Sequence, residues 1–210
     1  MYEKTYYPEH GLQVEDAESA GDSRGAVNLA RYWWAWTVLE ANRKFVVGKD
    51  MYVIDVGCGC GYGTRILSER LTGDACGIDW DPNLTRHARE NYAGDNVSYR
   101  RINLNIPWCI QFPKADLAVC FGVLDEVDDW EFALGEISQV LSKDGVLLLS
   151  HADRVNGDLE KIFDVVVSSE GDHQDGTTEH KIFKYMSDAK DTFPHLELDE
   201  KLIVCSGVKS

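Results

Sequence analysis

The chain has 210 residues, 44% hydrophobic and 27% charged, a composition that fits one globular domain with its own core. Its 21 Lys and Arg stand against 36 Asp and Glu, a net charge of −15. That balance leaves no cationic excess for a nucleic-acid backbone or an anionic membrane surface, and both are excluded as main partners. The excess is uneven: residues 1–100 carry 11 basic and 15 acidic side chains, residues 101–210 carry 10 and 21.

Residues 1–25 are polar and read as an irregular N-terminal arm, with Tyr6, Tyr7 and Pro8 forming either a tail or a flap. Residues 26–210 read as a single domain. From Ala26 to Val47, Leu29, Tyr32, Trp33, Trp36 and Leu39 recur at helical spacing. Strands and helices then alternate. Met51–Val56 is a buried strand and Thr64–Leu71 a helix. Ala75–Ile78 is the second strand and Pro82–Tyr92 the second helix, with Pro82 suited to a first turn and Asp81 to the cap before it. Val97–Ile102 and Asp116–Phe121 are strands, Trp130–Leu141 is a helix, and Val146–Leu149 is a fifth strand. This alternation predicts an α/β fold with a mostly parallel sheet covered on both faces.

After Ser150 the pattern weakens. Leu159–Val167 fits helix or strand, Gly171–Thr178 a loop, Lys181–Met186 a strand and Ser187–Phe193 a short helix. Leu196–Val208 holds one or two closing strands. Residues 152–180 are a candidate cap or loop insertion. The six cysteines form no C-x-x-C pair, and several lie in apolar runs, which suits buried free thiols. Residues 1–10 lack the basic and apolar stretches of a signal peptide, and no apolar run is long enough for a membrane span. A cytoplasmic setting is the expectation.

The densest signal is Asp55-Val56-Gly57-Cys58-Gly59-Cys60-Gly61-Tyr62-Gly63, between the first strand and its helix. Glycines there let the chain turn sharply and let a ligand approach backbone amides. At the carboxyl end of the first strand of an open α/β sheet, the expected ligand is nucleotide-like. The dinucleotide fingerprint G-x-G-x-x-G needs Gly or Ala at its sixth position. Counted from Gly57, that position is Tyr62; counted from Gly59, it is Thr64. A nicotinamide dehydrogenase is therefore disfavoured. Asp79 ends the second strand, where a carboxylate can accept from both hydroxyls of a ribose.

This G-x-G-x-G loop with Asp55 before it and Asp79 after it resembles motif I and the ribose-binding acid of class I S-adenosylmethionine-dependent methyltransferases. Asn103-Leu104, Phe121–Val127, the stretch from Ile137 to Leu147, and Ala30-Arg31-Tyr32 resemble further segments of a small-molecule subgroup, over about residues 28–150. The resemblance implies a Rossmann-like three-layer sandwich with seven strands, the last antiparallel. It implies S-adenosylmethionine as cofactor, held by Asp55, Gly57, Cys58, Gly59, Gly61, Asp79, Trp80, Asn103, Leu104, Phe121 and Arg31. Asp79 would take the ribose and Trp80 an adenine face. Asn103 would meet the adenine amino group, unless it merely ends a strand. Arg31 would reach the methionine carboxylate, unless it only packs its helix on the sheet. Asp55 would support the loop by accepting from its amides.

Methyl transfer needs alignment more than acid–base help, so catalytic residues are the least legible part. The segment after the fourth strand has neither the proline-rich loop nor the Pro-Cys pair of enzymes acting on nucleic-acid bases. Where many small-molecule O-methyltransferases carry a histidine base, this chain has Asp125 and Glu126. They are candidate bases or part of a solvated acidic turn that caps the next helix. His151 is a third candidate, as base or packed histidine. His173, Asp175, Glu179 and His180 are spaced irregularly, and no metal site is expected. The expected activity is methylation of a hydroxyl or amine on a small molecule, a sugar-containing metabolite among the options, with a neutral or cationic acceptor preferred. A catalytically silent cofactor-binding partner protein on the same fold is the alternative.

Overall fold

The computed structural model describes residues 6–7, 12–13, 31–32, 35, 50–70, 73–151, 159–168 and 201–209. In the arm, β1 (Tyr6–Tyr7) and β2 (Leu12–Gln13) pair antiparallel, so part of the expected irregular stretch is ordered by backbone bonds. Then come β3 (Met51–Val56), α1 (Tyr62–Arg70), β4 (Gly73–Asp79), α2 (Pro82–Asn91) and β5 (Val97–Arg101). A 3-10 turn at Cys109–Gln111 leads to β6 (Ala115–Phe121), α3 (Trp130–Val140) and β7 (Leu141–His151). The chain closes with α4 (Leu159–Ile162), β8 (Phe163–Ser168) and β9 (Lys201–Val208).

Seven strands form one sheet in the order β5-β4-β3-β6-β7-β9-β8. The pairs from β5 to β7 are parallel, and β9 runs antiparallel to both β7 and β8. The chain winds outward from β3 through β4 to β5, then returns to β6 on the other side of β3. That reversal opens a crevice at the carboxyl ends of β3 and β6. The strands there are mostly apolar and buried because both faces are covered. Ile54, Val56, Ile78, Ala118, Cys120, Leu147 and Leu149 share one buried cluster with Leu134, Ile137 and Val140 of α3.

The sheet agrees with the expected architecture, and the differences lie at its closing edge. Leu159–Val167 is neither one helix nor one strand: it starts as α4 and becomes β8. Because β8 is hydrogen-bonded to β9, residues 163–168 belong to the sheet and not to an inserted cap. The ambiguity arose because Phe163–Val167 is apolar and short, which fits either element. The rest of the candidate cap, and the segments expected at 171–193, lie outside the described residues. All six cysteines are free and buried.

One structural feature escaped the sequence reading. Glu136 on the inner side of α3 is buried, and its Oε2 accepts from the amides of Trp108 (2.6 Å) and Cys109 (2.8 Å). Burial alone would raise its pKa, but the two amide bonds outweigh it and leave the carboxyl below its ordinary 4.5. The bonds therefore stabilise the fold at neutral pH, and their charge-dependent part fades as pH falls below 4.5. Glu136→Leu should lower unfolding stability by about 2 kcal/mol at pH 7, because two buried amides lose their acceptor. Urea unfolding measures it, and the difference from wild type should shrink toward pH 3.

Candidate functional site

The glycine loop is built from its backbone outward. Gly57, Gly59 and Gly61 all have positive φ, at 75°, 56° and 96°. The Gly57 and Cys58 amides donate to the Ile78 carbonyl at 2.8 and 3.0 Å, and the Gly61 amide to the Cys58 carbonyl at 3.0 Å. Tyr99 on β5 donates its hydroxyl to the Gly61 carbonyl at 2.7 Å. A Cβ on Gly61 would sit 2.5 Å from Ala88 Cβ and 2.8 Å from the Tyr99 ring, so the loop is pressed against α2 and β5.

Asp79 joins the loop to the next turn. Its Oδ2 accepts from the Gly59 amide and its Oδ1 from the Asp81 amide, both at 2.9 Å. Burial raises its pKa, while the amides of Asp81 and Gly59 pull it back down. Each oxygen keeps acceptor capacity for a further donor. Asp81 caps α2 by accepting from the amides of Asn83 (2.6 Å) and Leu84 (3.1 Å), as its place before Pro82 predicts.

A cavity of about 580 Å³ runs across these strand ends. On the β4 and β5 side it is lined by Asp79, Trp80, Asn103 and Leu104, in the middle by Gly57 and Gly59, and on the β6 side by Phe121; Arg31 lines it as well. Trp80 is 67% exposed, so its ring offers a free apolar face at the rim. Asn103 Oδ1 accepts from the Asn105 amide at 3.0 Å. Asn105 and Asp128 exchange two bonds across the mouth, Nδ2 to Oδ2 at 2.9 Å and amide to Oδ1 at 3.1 Å. This clasp was not foreseen, since its partners are 23 residues apart on two loops.

The structure separates the expected site residues into two groups. Arg31, Gly57, Gly59, Asp79, Trp80, Asn103, Leu104 and Phe121 line the cavity. Asp55, Cys58 and Gly61 are placed behind the loop. Cys58 is buried with Ala88, Val97 and Tyr99. Asp55 does not accept from the loop amides, which are engaged by Ile78, Asp79 and Cys58. It accepts from Thr64 Oγ1 at 2.6 Å and from the Tyr32 hydroxyl, 2.9 Å from either oxygen.

The acidic turn divides as well. Glu126 and Asp128 line the cavity. Asp125 is exposed, and Asp129 caps α3 by accepting from the Phe132 amide at 2.9 Å. The backbone of His151 lies at the carboxyl end of β7, opposite Lys201. The stretch from His173 to His180 lies outside the described residues. Among the described residues, no group of three His, Cys, Asp or Glu is arranged to hold a metal ion, and no helix is long and apolar enough to cross a membrane.

The methyltransferase domain family matches residues 54–149, the span from β3 to β7 that builds this crevice. Over those residues the chain is similar to a methyltransferase domain. The domain is 31% identical over 100 residues to a malonyl-[acyl-carrier protein] O-methyltransferase of Acetivibrio thermocellus, covering 47% of this chain and 34% of that protein. It is 30% identical over 109 residues to a probable S-adenosylmethionine-dependent methyltransferase of Mycolicibacterium smegmatis, covering 51% and 40%. These matches thus span well under half the length of the curated relatives. The fold is also that of the plantazolicin methyltransferase BpumL, solved in complex with SAH, with a TM-score of 0.64, 10% identity, and 93% and 90% of the two chains covered.

Asp55 carries a pH consequence for the domain. Loss of hydration pushes its carboxyl up to about 7 from an ordinary 3.8; Thr64 and Tyr32 pull it down, and Asp79 adds to the rise. Other groups acting with it are Cys58, Cys76, Tyr99 and Cys120. The folded state holds this proton more tightly than the unfolded chain does. Its stabilising share is complete below pH 3.8 and is lost as pH rises to about 7. In urea unfolding from pH 4 to 8, wild type should lose stability relative to Asp55→Asn as pH increases. A difference independent of pH would contradict this.

Proposed function

We propose that the chain is an S-adenosylmethionine-dependent methyltransferase acting on a hydroxyl or amine of a small molecule. The observation that carries the reading is one cavity lined by both the anchored, buried carboxylate of Asp79 and the buried cation of Arg31. Asp79 supplies two anchored carboxylate oxygens for the ribose hydroxyls, with Trp80 beside them for the adenine face and Asn103 and Leu104 at its edge. Arg31, only 2% exposed, faces the amino-acid end as the partner for a carboxylate. Gly57 and Gly59 line the cavity with no side chains of their own, so a ligand can lie against their backbone. The solved complex of BpumL with SAH supports the same cofactor.

The cofactor supplies an activated methyl group on a cationic sulfur, and the protein's share is to align the acceptor and exclude water. Glu126 is the expected carboxylate that reaches the cavity, so the role of proton acceptor falls to it and not to Asp125. With Asp128 beside it, the acceptor side is acidic, which favours a neutral or cationic substrate over an anionic one. The name of the Acetivibrio thermocellus relative supports oxygen as an acceptor atom.

Titration calorimetry should show binding of S-adenosylmethionine and S-adenosylhomocysteine. Asp79→Ala should weaken both by about 100-fold, since charge-assisted bonds to two hydroxyls are lost. Absence of binding by wild type would end this reading. Once an acceptor is found, Glu126→Gln should lower kcat by about 100-fold with cofactor affinity unchanged.

A further inference from the structure

Arg31 and Tyr32 are helical residues that precede the domain's first strand, yet both are buried against the glycine loop. Tyr32 is held from three sides. Its hydroxyl sits midway between the two Asp55 oxygens on β3, sharing one proton between them. Its ring packs on Gly63 at the start of α1, where a Cβ would sit 2.0 Å from the ring carbon Cε2. Its edges meet the Tyr62 ring at 6.0 Å and the Phe121 ring of β6 at 5.5 Å between centroids. Only glycine at position 63 allows this approach, so the loop and the tyrosine fit as a pair.

Tyr32 does not line the cavity, but its neighbour Arg31 does. The contact with Phe121 puts that arginine at the β6 end, away from Trp80 and Asn103 near β4 and β5. A long cationic side chain entering a buried crevice loses hydration and conformational freedom, so its backbone needs a fixed anchor. The Asp55–Tyr32–Thr64 cluster is such an anchor, because a buried carboxylate requires its donors and leaving either out is costly.

We propose that Tyr32 is a positioning residue: docked on Asp55 and Gly63, it holds Arg31 at the β6 end of the cavity, where Arg31 takes the carboxylate of the cofactor's amino-acid end. This rests on the reading of the cavity as an S-adenosylmethionine site. The consequence is selective. A ligand with the amino-acid end depends on Tyr32, and a ligand with the nucleoside end alone does not.

The test compares S-adenosylhomocysteine with 5′-methylthioadenosine, the same nucleoside thioether without the amino-acid group, by calorimetry. Wild type should bind both, S-adenosylhomocysteine more tightly. Tyr32→Phe should weaken S-adenosylhomocysteine about tenfold, because Arg31 loses its fixed position against the ligand carboxylate, and leave 5′-methylthioadenosine within about twofold. Arg31→Ala should show the same selectivity, and adding Tyr32→Phe to Arg31→Ala should lower affinity no further. Equal weakening of both ligands by Tyr32→Phe, by misfolding or otherwise, overturns the proposal, as do additive losses in the double variant. Wild type that binds neither ligand overturns the cofactor reading itself, a different result from equal weakening.

Discussion

Everything at the carboxyl edge of this sheet depends on where two carboxylates point. Asp55 lies one residue before the end of β3 and Asp79 ends the adjacent β4, and the charge of Asp79 raises the pKa of Asp55. Asp55 is turned inward and satisfied by hydroxyls from Tyr32 and Thr64. Asp79 is turned toward the crevice and braced by the amides of Gly59 and Asp81. The loop between them can adopt this course because its glycines accept positive φ. With one acid behind the loop and one in front, the same short segment makes both a rigid floor and a ligand-facing acceptor.

The remaining geometry follows from that division. Asp55 recruits the leading helical residues, and with them an arginine, to the β6 side of the cavity. Asp79 leads directly into the Asp81 cap, which fixes the start of α2 and leaves Trp80 at the rim. Tyr99 and Glu136 support the scheme from elsewhere in the chain, Tyr99 by donating to a loop carbonyl and Glu136 by accepting from two amides. The Asn105–Asp128 clasp links the loop after β5 to the loop after β6.

Much of this was legible in the sequence where local chemistry decides the outcome. Met51–Val56 has the same bounds in sequence and structure, because an apolar run flanked by Asp50 and Gly57 has little choice. Asp81 before Pro82 announces a helix start, and the glycine alternation announces a loop against a strand end. What stayed hidden depends on long-range partners. The partners of Asp55 are a tyrosine 23 residues upstream and a threonine nine residues on, and no spacing rule selects them over the loop amides. Asp125 and Glu126 are equivalent in sequence, and only the folded course of the turn, with the Glu126 amide bonded to the Val123 carbonyl at 2.9 Å, distinguishes the one that lines the cavity. Phe163–Val167 needed β9 beside it to become a strand.

The most direct measurement of the central claim is a crystal structure with S-adenosylhomocysteine bound. The account predicts both ribose hydroxyls within hydrogen-bond distance of the Asp79 carboxylate, Asp55 still bonded to Tyr32 and Thr64, and the Trp80 ring against the adenine. A nucleoside seated away from Asp79, or an Asp55 side chain turned out toward the ligand, would contradict it.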